Sequence, residues 1–304
     1  MILVIGECVL DVVESEDGAV AAHPGGSPAN VAVGLARLDQ DVTLLTELGD
    51  DAPGRQIAAH LDESGVATVA DGDRTPQARA RLRADGSAEY DFDIAWTLAP
   101  DAGDAIGAAQ HVHTGSIASH IPPGAEAVAA IVAARRDGAT VSYDPNVRPS
   151  LVGDREATLA RTARLVGLSD VVKASDEDID WLFPGVEVED ALRAWTQAGP
   201  PLAVATLGGA GSVASLRGEI LRVGPVSVEV VDTVGAGDSY MAALLDGLER
   251  AGLLGPAGRE RLATVDPDVV EDVLERAARA AAITVSRAGA NPPTLPELAD
   301  SAAR

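Results

Sequence analysis

The chain has 304 residues, 46% of them hydrophobic, with 47 acidic against 23 basic side chains and a formal net charge of −24. That length and apolar content suit one large α/β domain with at most a small subdomain, and the acidity argues against nucleic acid or an anionic membrane, both of which would be repelled. No uncharged apolar stretch reaches the roughly 18 residues of a membrane span, no basic leader precedes the first apolar run, and the single cysteine, Cys8, cannot form an internal disulfide, so a cytoplasmic protein is expected.

From the N-terminus, Ile2 to Ile5 is a short apolar run ending in Gly6-Glu7, which reads as a buried strand of a parallel sheet, with Asp11 just beyond it. In Pro24-Gly25-Gly26-Ser27-Pro28-Ala29-Asn30, Ser27 is the expected N-cap and Pro28 the first helical position of a helix from Ala29 to Leu38. A strand over Val42 to Glu47 and a helix over Pro53 to Ser64 continue the alternation. Val66 to Phe92 breaks it, with short strand-like pieces at Ala78 to Leu82 and Glu89 to Phe92 and turn signals at Asp71-Gly72 and Asp85-Gly86. With Val9 to Val13, this segment is predicted to form a small β lid, spanning about residues 9–22 and 66–94 of a single domain over 1–304.

The alternation then resumes. Strands are predicted at Ala109 to Thr114, Thr140 to Tyr143, Asp170 to Lys173 and Leu202 to Thr206. Helices are predicted at Ala125 to Arg136, Arg155 to Val166, Glu189 to Gln197, Asp238 to Glu249 and Pro267 to Ser286, with Gly255 to Val265 as a surface loop. The fold class is α/β, a doubly wound, mostly parallel sheet flanked by helices and carrying a small β-sheet lid.

The most informative stretch is Val231-Asp232-Thr233-Val234-Gly235-Ala236-Gly237-Asp238-Ser239. Gly235, Ala236 and Gly237 let backbone N–H groups approach a ligand closely at a helix start, where the orphan amides and the dipole favour a phosphate. A carboxylate facing a phosphate would be repelled by it, so Asp238 reads as a general base for an attacking hydroxyl. The alternative is a carboxylate that only caps the helix.

Lys173 is the only lysine in the chain and is followed by Ala174, which rules out a P-loop; no strand lysine accompanies a Gly-rich loop as in protein kinases. The five histidines form no His-Glu-x-x-His pattern, and His111 and His113, alternating on a predicted strand, are assigned a structural role. Ligands of open α/β sheets gather at the carboxyl ends of strands. Asp11, Gly25, Gly26, Asn30, Asp144, Asn146, Arg148, Ser175, Thr206, Gly208 and the Gly235 turn all fall there. Gly208-Gly209-Ala210-Gly211 is either a nucleotide-facing turn or a hairpin.

Two of these segments together, Gly25-Gly26-Ser27-Pro28-Ala29-Asn30-Val31-Ala32 and Asp232-Thr233-Val234-Gly235-Ala236-Gly237-Asp238-Ser239, resemble the signatures of the PfkB family of carbohydrate kinases, which have the ribokinase-like fold. The resemblance runs from Ile2 to about Pro296. Leu3-Val4-Ile5-Gly6-Glu7, Asp11 and Asp144-Pro145-Asn146-Val147-Arg148 look like the fructokinase branch.

The resemblance implies that Asp11, Gly25, Gly26, Asn30 and Arg148 bind the sugar, that Asp238 is the catalytic base, and that the amides of Gly235, Ala236, Gly237 and Asp238 form an anion hole. Ser175, Thr206, Gly208 and Gly211 would lie on the ATP side. Asp178, in a segment resembling the family's Asn-x-x-Glu element but reading Ser175-Asp176-Glu177-Asp178, would act on Mg2+ through water. Asp232, the Val234 carbonyl and the Arg287 to Asn291 loop resemble a site for a monovalent cation such as K+.

The implied partners are a sugar and ATP, with no nucleic acid or membrane, and a homodimer is the assembly considered. A 2-keto-3-deoxygluconate kinase is the rival within the class; it needs an arginine in the lid, where Arg79, Arg81 and Arg83 alternate. Ribokinase and nucleoside kinase follow. A catalytically silent sugar- or nucleotide-binding regulator is the rival outside it.

Overall fold

Every side chain of Ile2–Ile5 is buried, yet successive residues enter different cores: Ile2 and Val4 join Val31, Leu35, Leu44, Met241 and Leu274, whereas Leu3 and Ile5 join Val112, Val128, Val132 and Leu165. A strand with two apolar faces belongs in the middle of a sheet covered by helices on both sides. The computed structural model, described here for residues 1–15, 19–70, 72–82 and 88–301, has that architecture.

The strands are β1 (Ile2–Ile5), β2 (Val9–Glu14), β3 (Val20–Gly25), β4 (Val42–Thr46), β5 (Ala67–Ala70), β6 (Gln77–Leu82), β7 (Ala88–Asp93), β8 (His111–Gly115), β9 (Thr140–Asp144), β10 (Val171–Ser175), β11 (Leu202–Thr206), β12 (Ser212–Leu216) and β13 (Glu219–Val223). Nine of them form one sheet in the order β13-β12-β11-β10-β9-β8-β1-β4-β5. It is parallel from β5 to β11, and β12 and β13 add an antiparallel edge. The winding reverses between β1 and β8, so a ligand crevice is expected beyond their carboxyl ends. One face carries helices Ser27–Arg37, Ala236–Arg250 and Pro267–Val285; the other carries Gly124–Arg135, Arg155–Leu168 and Val188–Ala198.

The remaining four strands form a second sheet, β3-β2-β6-β7, in which β2 pairs antiparallel with β3 and parallel with β6. The doubly wound sheet and the small separate sheet both agree with the sequence reading. Three local expectations change. Residues 67–70 are not part of the small sheet: β5 extends the parallel ladder of β4 after the crossover helix Ala52–Glu63. Val20–Gly25 is instead a strand of the small sheet. The expected surface loop after Gly255 is the helix Pro256–Leu262, begun by a proline in its first turn, burying Leu262 and sending Arg259 to Asp170 at 2.7 Å. The Asp85-Gly86 turn, Arg83 and Asp71 lie outside the described residues.

His111 and His113 are buried within the sheet. His111 Nε2 and His113 Nδ1 both meet Ser142 Oγ, at 2.8 and 2.9 Å, and His111 Nδ1 meets Thr140 Oγ1 at 2.8 Å. Burial pushes both imidazoles down to about 3. They are neutral core groups, as their alternation suggested.

Candidate active site

A cavity of about 800 Å3 opens at the carboxyl ends of the central strands, between the main sheet and the small one. Its wall brings together Asp11, Gly26, Asn30, Arg148, Ser175, Asp178, Thr206, Gly208 and the turn Gly235 to Asp238. These residues span more than 200 positions of sequence, from Asp11 to Asp238, and the fold makes them neighbours.

Helix Ala236–Arg250 begins at Gly235, which has the left-handed φ of +75°. A side chain there would also be blocked, since an added Cβ would stand 2.6 Å from the Ala290 Cβ. No side chain caps this helix end, the Ala236 amide donates to the Thr233 carbonyl at 3.3 Å, and the turn from Gly235 to Asp238 lines the cavity, an arrangement suited to an anion. Asp238, in the same turn and 8% exposed, also lines the cavity. Ser27 Oγ donates to its Oδ1 at 2.6 Å and Asn30 Nδ2 to its Oδ2 at 2.8 Å. Both donors come from the helix packed beside it.

Ser27 was expected to cap its own helix. The N-cap is Gly26, with φ of +102° and no side-chain capping bond, and Ser27 occupies the first helical position with its hydroxyl committed to Asp238. Gly26 is required there because an added Cβ would lie 2.5 Å from the Glu7 carbonyl oxygen. The signal was present in Gly-Gly-Ser-Pro, where the proline fixes the helix start but leaves the choice of cap open.

Asp11 faces the cavity from β2. In register across the small sheet, Asp11 stands opposite Ala78 and Ala78 opposite Phe92, and this row of three lines the cavity. Desolvation raises the Asp11 pKa, partly offset by His23 and Arg148. Arg79 and Arg81 pair with Val12 and Glu14 instead, on the other face, where Arg81 Nε meets Glu14 at 3.1 Å. Neither described arginine of this segment faces the cavity. Glu7 lies beneath the site, fully buried; burial raises it to about 7, although its Oε2 accepts from the Ala118 amide at 2.9 Å.

At the opposite wall Ser175 and Asp178 form a capping box. Asp178 Oδ2 accepts from the Ser175 amide at 2.9 Å and hydroxyl at 2.7 Å, while Oδ1 accepts from the Val147 amide at 2.7 Å. Most of its acceptor capacity is therefore used by the protein. Asp176 and Glu177 share this wall and are more open to solvent. Among the described residues no group of three or more His, Cys, Asp or Glu side chains could hold a metal ion by itself. A few carboxylates beside a phosphate site suit Mg2+, which keeps several waters and binds through substrate phosphates.

Three of the sequence-predicted site residues stand outside the cavity wall. Gly25 lies behind Asp11, whose carboxylate fills the space a side chain would need. Gly211, with φ of +96°, is the hairpin glycine between β11 and β12: the Leu207 amide donates to its carbonyl at 2.9 Å. Gly211 thus sits in the turn that follows Thr206 and Gly208, both of which line the cavity. Asp232 ties two loops together, with Oδ1 accepting from the Val234 amide at 3.0 Å and Oδ2 from the Gly289 amide at 2.8 Å, and these bonds lower its pKa.

The sequence reading gave no role to Lys173, whose Nζ lies 2.6 Å from Asp144 Oδ2 under the cavity. Its solitude in the composition was the available signal. No helix is long and apolar enough to cross a membrane among the described residues.

A family profile described as pfkB family carbohydrate kinase matches residues 1–298. A fructokinase from Klebsiella pneumoniae is 32% identical over 278 residues, covering 88% of this chain and 89% of its own. Among solved structures, a Xylella fastidiosa fructokinase with bound ATP superposes with a TM-score of 0.89 at 27% identity, over 99% of this chain and 97% of that one. A double-mutant Vibrio cholerae O395 fructokinase in a form bound to fructose, ADP and potassium ion gives 0.84 at 26% identity, over 98% and 97%.

Proposed function

Because the chain belongs to the pfkB family of carbohydrate kinases, we propose that it is an ATP-dependent fructokinase, transferring the γ-phosphoryl group to a primary hydroxyl of fructose. The observation that carries this reading is the setting of Asp238: a carboxylate oriented by Ser27 and Asn30, in the first turn of an uncapped helix, on the wall of a cavity that also holds polar sugar-binding candidates.

In the reaction, Asp238 takes the proton of the sugar hydroxyl as the hydroxyl oxygen bonds to the γ-phosphorus. The bond from that phosphorus to the β–γ bridging oxygen breaks, and ADP leaves. The amides of Gly235 to Asp238 stabilise charge on the transferred group. Asp11 and Asn30 bind sugar hydroxyls, with Gly26 admitting the backbone closely and Arg148 at the rim. Ser175, Thr206 and Gly208 lie toward the nucleotide. Asp178, with Glu177 or Asp176 beside it, would hold Mg2+, which would supply neutralisation of phosphate charge. Asp232 and the 287–291 loop shape a K+ position beside the anion hole. Under this reading the enzyme works in the cytoplasm, where ATP is available.

Fructose is favoured over an acid sugar because the cavity-facing row of the small sheet is Asp11, Ala78 and Phe92, with Arg79 and Arg81 turned away. A substrate carboxylate would meet another carboxylate there. The test is ADP release over a panel of fructose, ribose, tagatose, 2-keto-3-deoxygluconate and nucleosides. Fructose is expected to give the highest kcat/KM; a higher value for the keto-deoxy acid or for ribose overturns the assignment.

A further inference from the structure

Lys173 is the chain's only lysine, and its side chain is almost fully enclosed, at 3% exposure, in the middle of β10. Lysines usually bury the alkyl stem and extend the ammonium to water. Here the ammonium is inside. It lies 2.6 Å from Asp144 Oδ2, forming a buried ion pair. On its other side is the anion hole: a Cβ added to Gly237 would come within 3.2 Å of Lys173 Nζ. The missing side chain of Gly237 therefore leaves a gap between the ammonium and the helix end, and Lys173 itself lines the cavity.

Charge balance gives this placement a consequence. Asp144, Asp178 and Asp238 are all buried around the cavity floor, and phosphate must enter the same region of a protein with net charge −24. Burial alone would favour the neutral amine, but Asp144, with Asp238 and Asp178 behind it, outweighs burial and keeps Lys173 charged. A fixed cation in an enclosed site acts more strongly than one in water and needs no reorganisation during reaction.

We propose that Lys173 is a further catalytic residue for phosphoryl transfer, contacting the γ-phosphoryl group through the gap at Gly237, with Asp144 as the residue that positions its ammonium. This inference rests on the kinase reading of the cavity. The bland alternative is that Lys173 only neutralises Asp144. The two differ in what nucleotide and turnover do to the lysine.

With one lysine in the chain, protein labelled with 15N only in lysine has a single side-chain ammonium signal. That signal is expected to shift markedly on adding the non-hydrolysable β,γ-imido analogue of ATP and much less on adding ADP, which lacks the γ group. Equal shifts with both nucleotides overturn the proposal. The measurement requires no variant and no choice of sugar, so failure of the sugar panel alongside a γ-specific shift would count against fructose and not against Lys173.

A kinetic arm uses Lys173→Met and the double variant Lys173→Met/Asp144→Asn. The single variant leaves Asp144 without its counter-charge and is expected to melt lower; the double variant removes both charges and is expected to recover most of that loss. Its kcat should nevertheless remain down by about 100-fold, with the sugar KM within about threefold of the parent. A folded double variant whose kcat returns to within about threefold of the parent shows a purely structural pair and overturns the proposal. If the double variant does not fold, the labelled parent alone decides.

Discussion

Ser27 Oγ donates to Asp238 Oδ1 across 2.6 Å, joining residues 211 positions apart. The bond comes from the first residue of one helix and ends in the first turn of another, so the two family segments meet at a single carboxylate. It fixes which Asp238 oxygen is engaged and limits the rotation of the base before a sugar arrives. Replacing Asp238 with Asn keeps the shape but removes the basic site, and kcat is expected to fall by about two to four decades with sugar binding retained. Ser27→Ala should cost roughly tenfold in kcat, the scale of one hydrogen bond to a charged group. Steady-state kinetics and a separate sugar titration check both; near-parental turnover in folded Asp238→Asn removes it from the base role.

Asn30 and Asp11 should separate kinetically. Asn30 donates to Asp238 at 2.8 Å as well as lining the cavity, whereas Asp11 faces the cavity from the small sheet. Asn30→Ala is therefore expected to lower kcat and raise the sugar KM together. Asp11→Ala should raise the sugar KM by roughly 10- to 100-fold, from about 1–3 kcal/mol of lost hydrogen bonding, with kcat and the ATP KM little changed. An equal loss for ATP in the Asp11 variant would mean that the sugar pocket has been misplaced.

The difference between these residues marks what the sequence could disclose. Asp238, Asn30 and the Gly235 turn stood out because their two segments occur together in one chain; alone, an acid in the first turn of a helix reads as readily as a cap. Ser27 was misread locally, since a Ser-Pro step is compatible with a cap and only the packing of Ala236–Arg250 alongside decides otherwise. For Gly208 to Gly211 the sequence left a hairpin or a nucleotide-facing turn open, and the antiparallel pairing of β11 with β12 shows the hairpin. The alternation of Arg79 and Arg81 identified a shared face without saying which way it points. That depended on register with β2, a long-range fact. Strand β5 had the same short apolar look as the pieces after it and was assigned to the wrong sheet.

The buried histidines give a pH prediction. Both His111 and His113 are pushed down to about 3 by burial, against about 6.5 in an unfolded chain. Below about pH 6.5 the unfolded state gains protons that these native histidines refuse, so their contribution to stability falls as pH drops from about 6.5 toward 3, against the opposite contribution of buried Glu7 and Asp144. The combined effect at pH 5 is on the order of a few kcal/mol. Urea unfolding at pH 7, 6 and 5 is expected to show the stability of the parent falling relative to that of His111→Asn, which retains a polar group beside Thr140 but does not titrate. Parallel changes would mean that these imidazoles are already protonated or accessible in the folded protein.

The small sheet is expected to act as a lid because its inner row, Asp11, Ala78 and Phe92, forms part of the cavity wall. Closing it over the sugar would exclude water from the phosphoryl acceptor and limit wasteful ATP hydrolysis. Hydrogen exchange at the described amides of β6 and β7 should therefore slow when fructose is added and change little with ATP alone. Arg79 and Arg81 serve as controls on the same strand: both lie on the face away from Asp11, and replacing either with Ala is expected to leave the fructose KM within about twofold. A large KM increase in either variant would indicate that the strand turns over on closure and would revive an acid sugar as substrate. If no sugar in the panel slows exchange in β6 and β7, the sheet is a fixed wall of the pocket and the lid role fails.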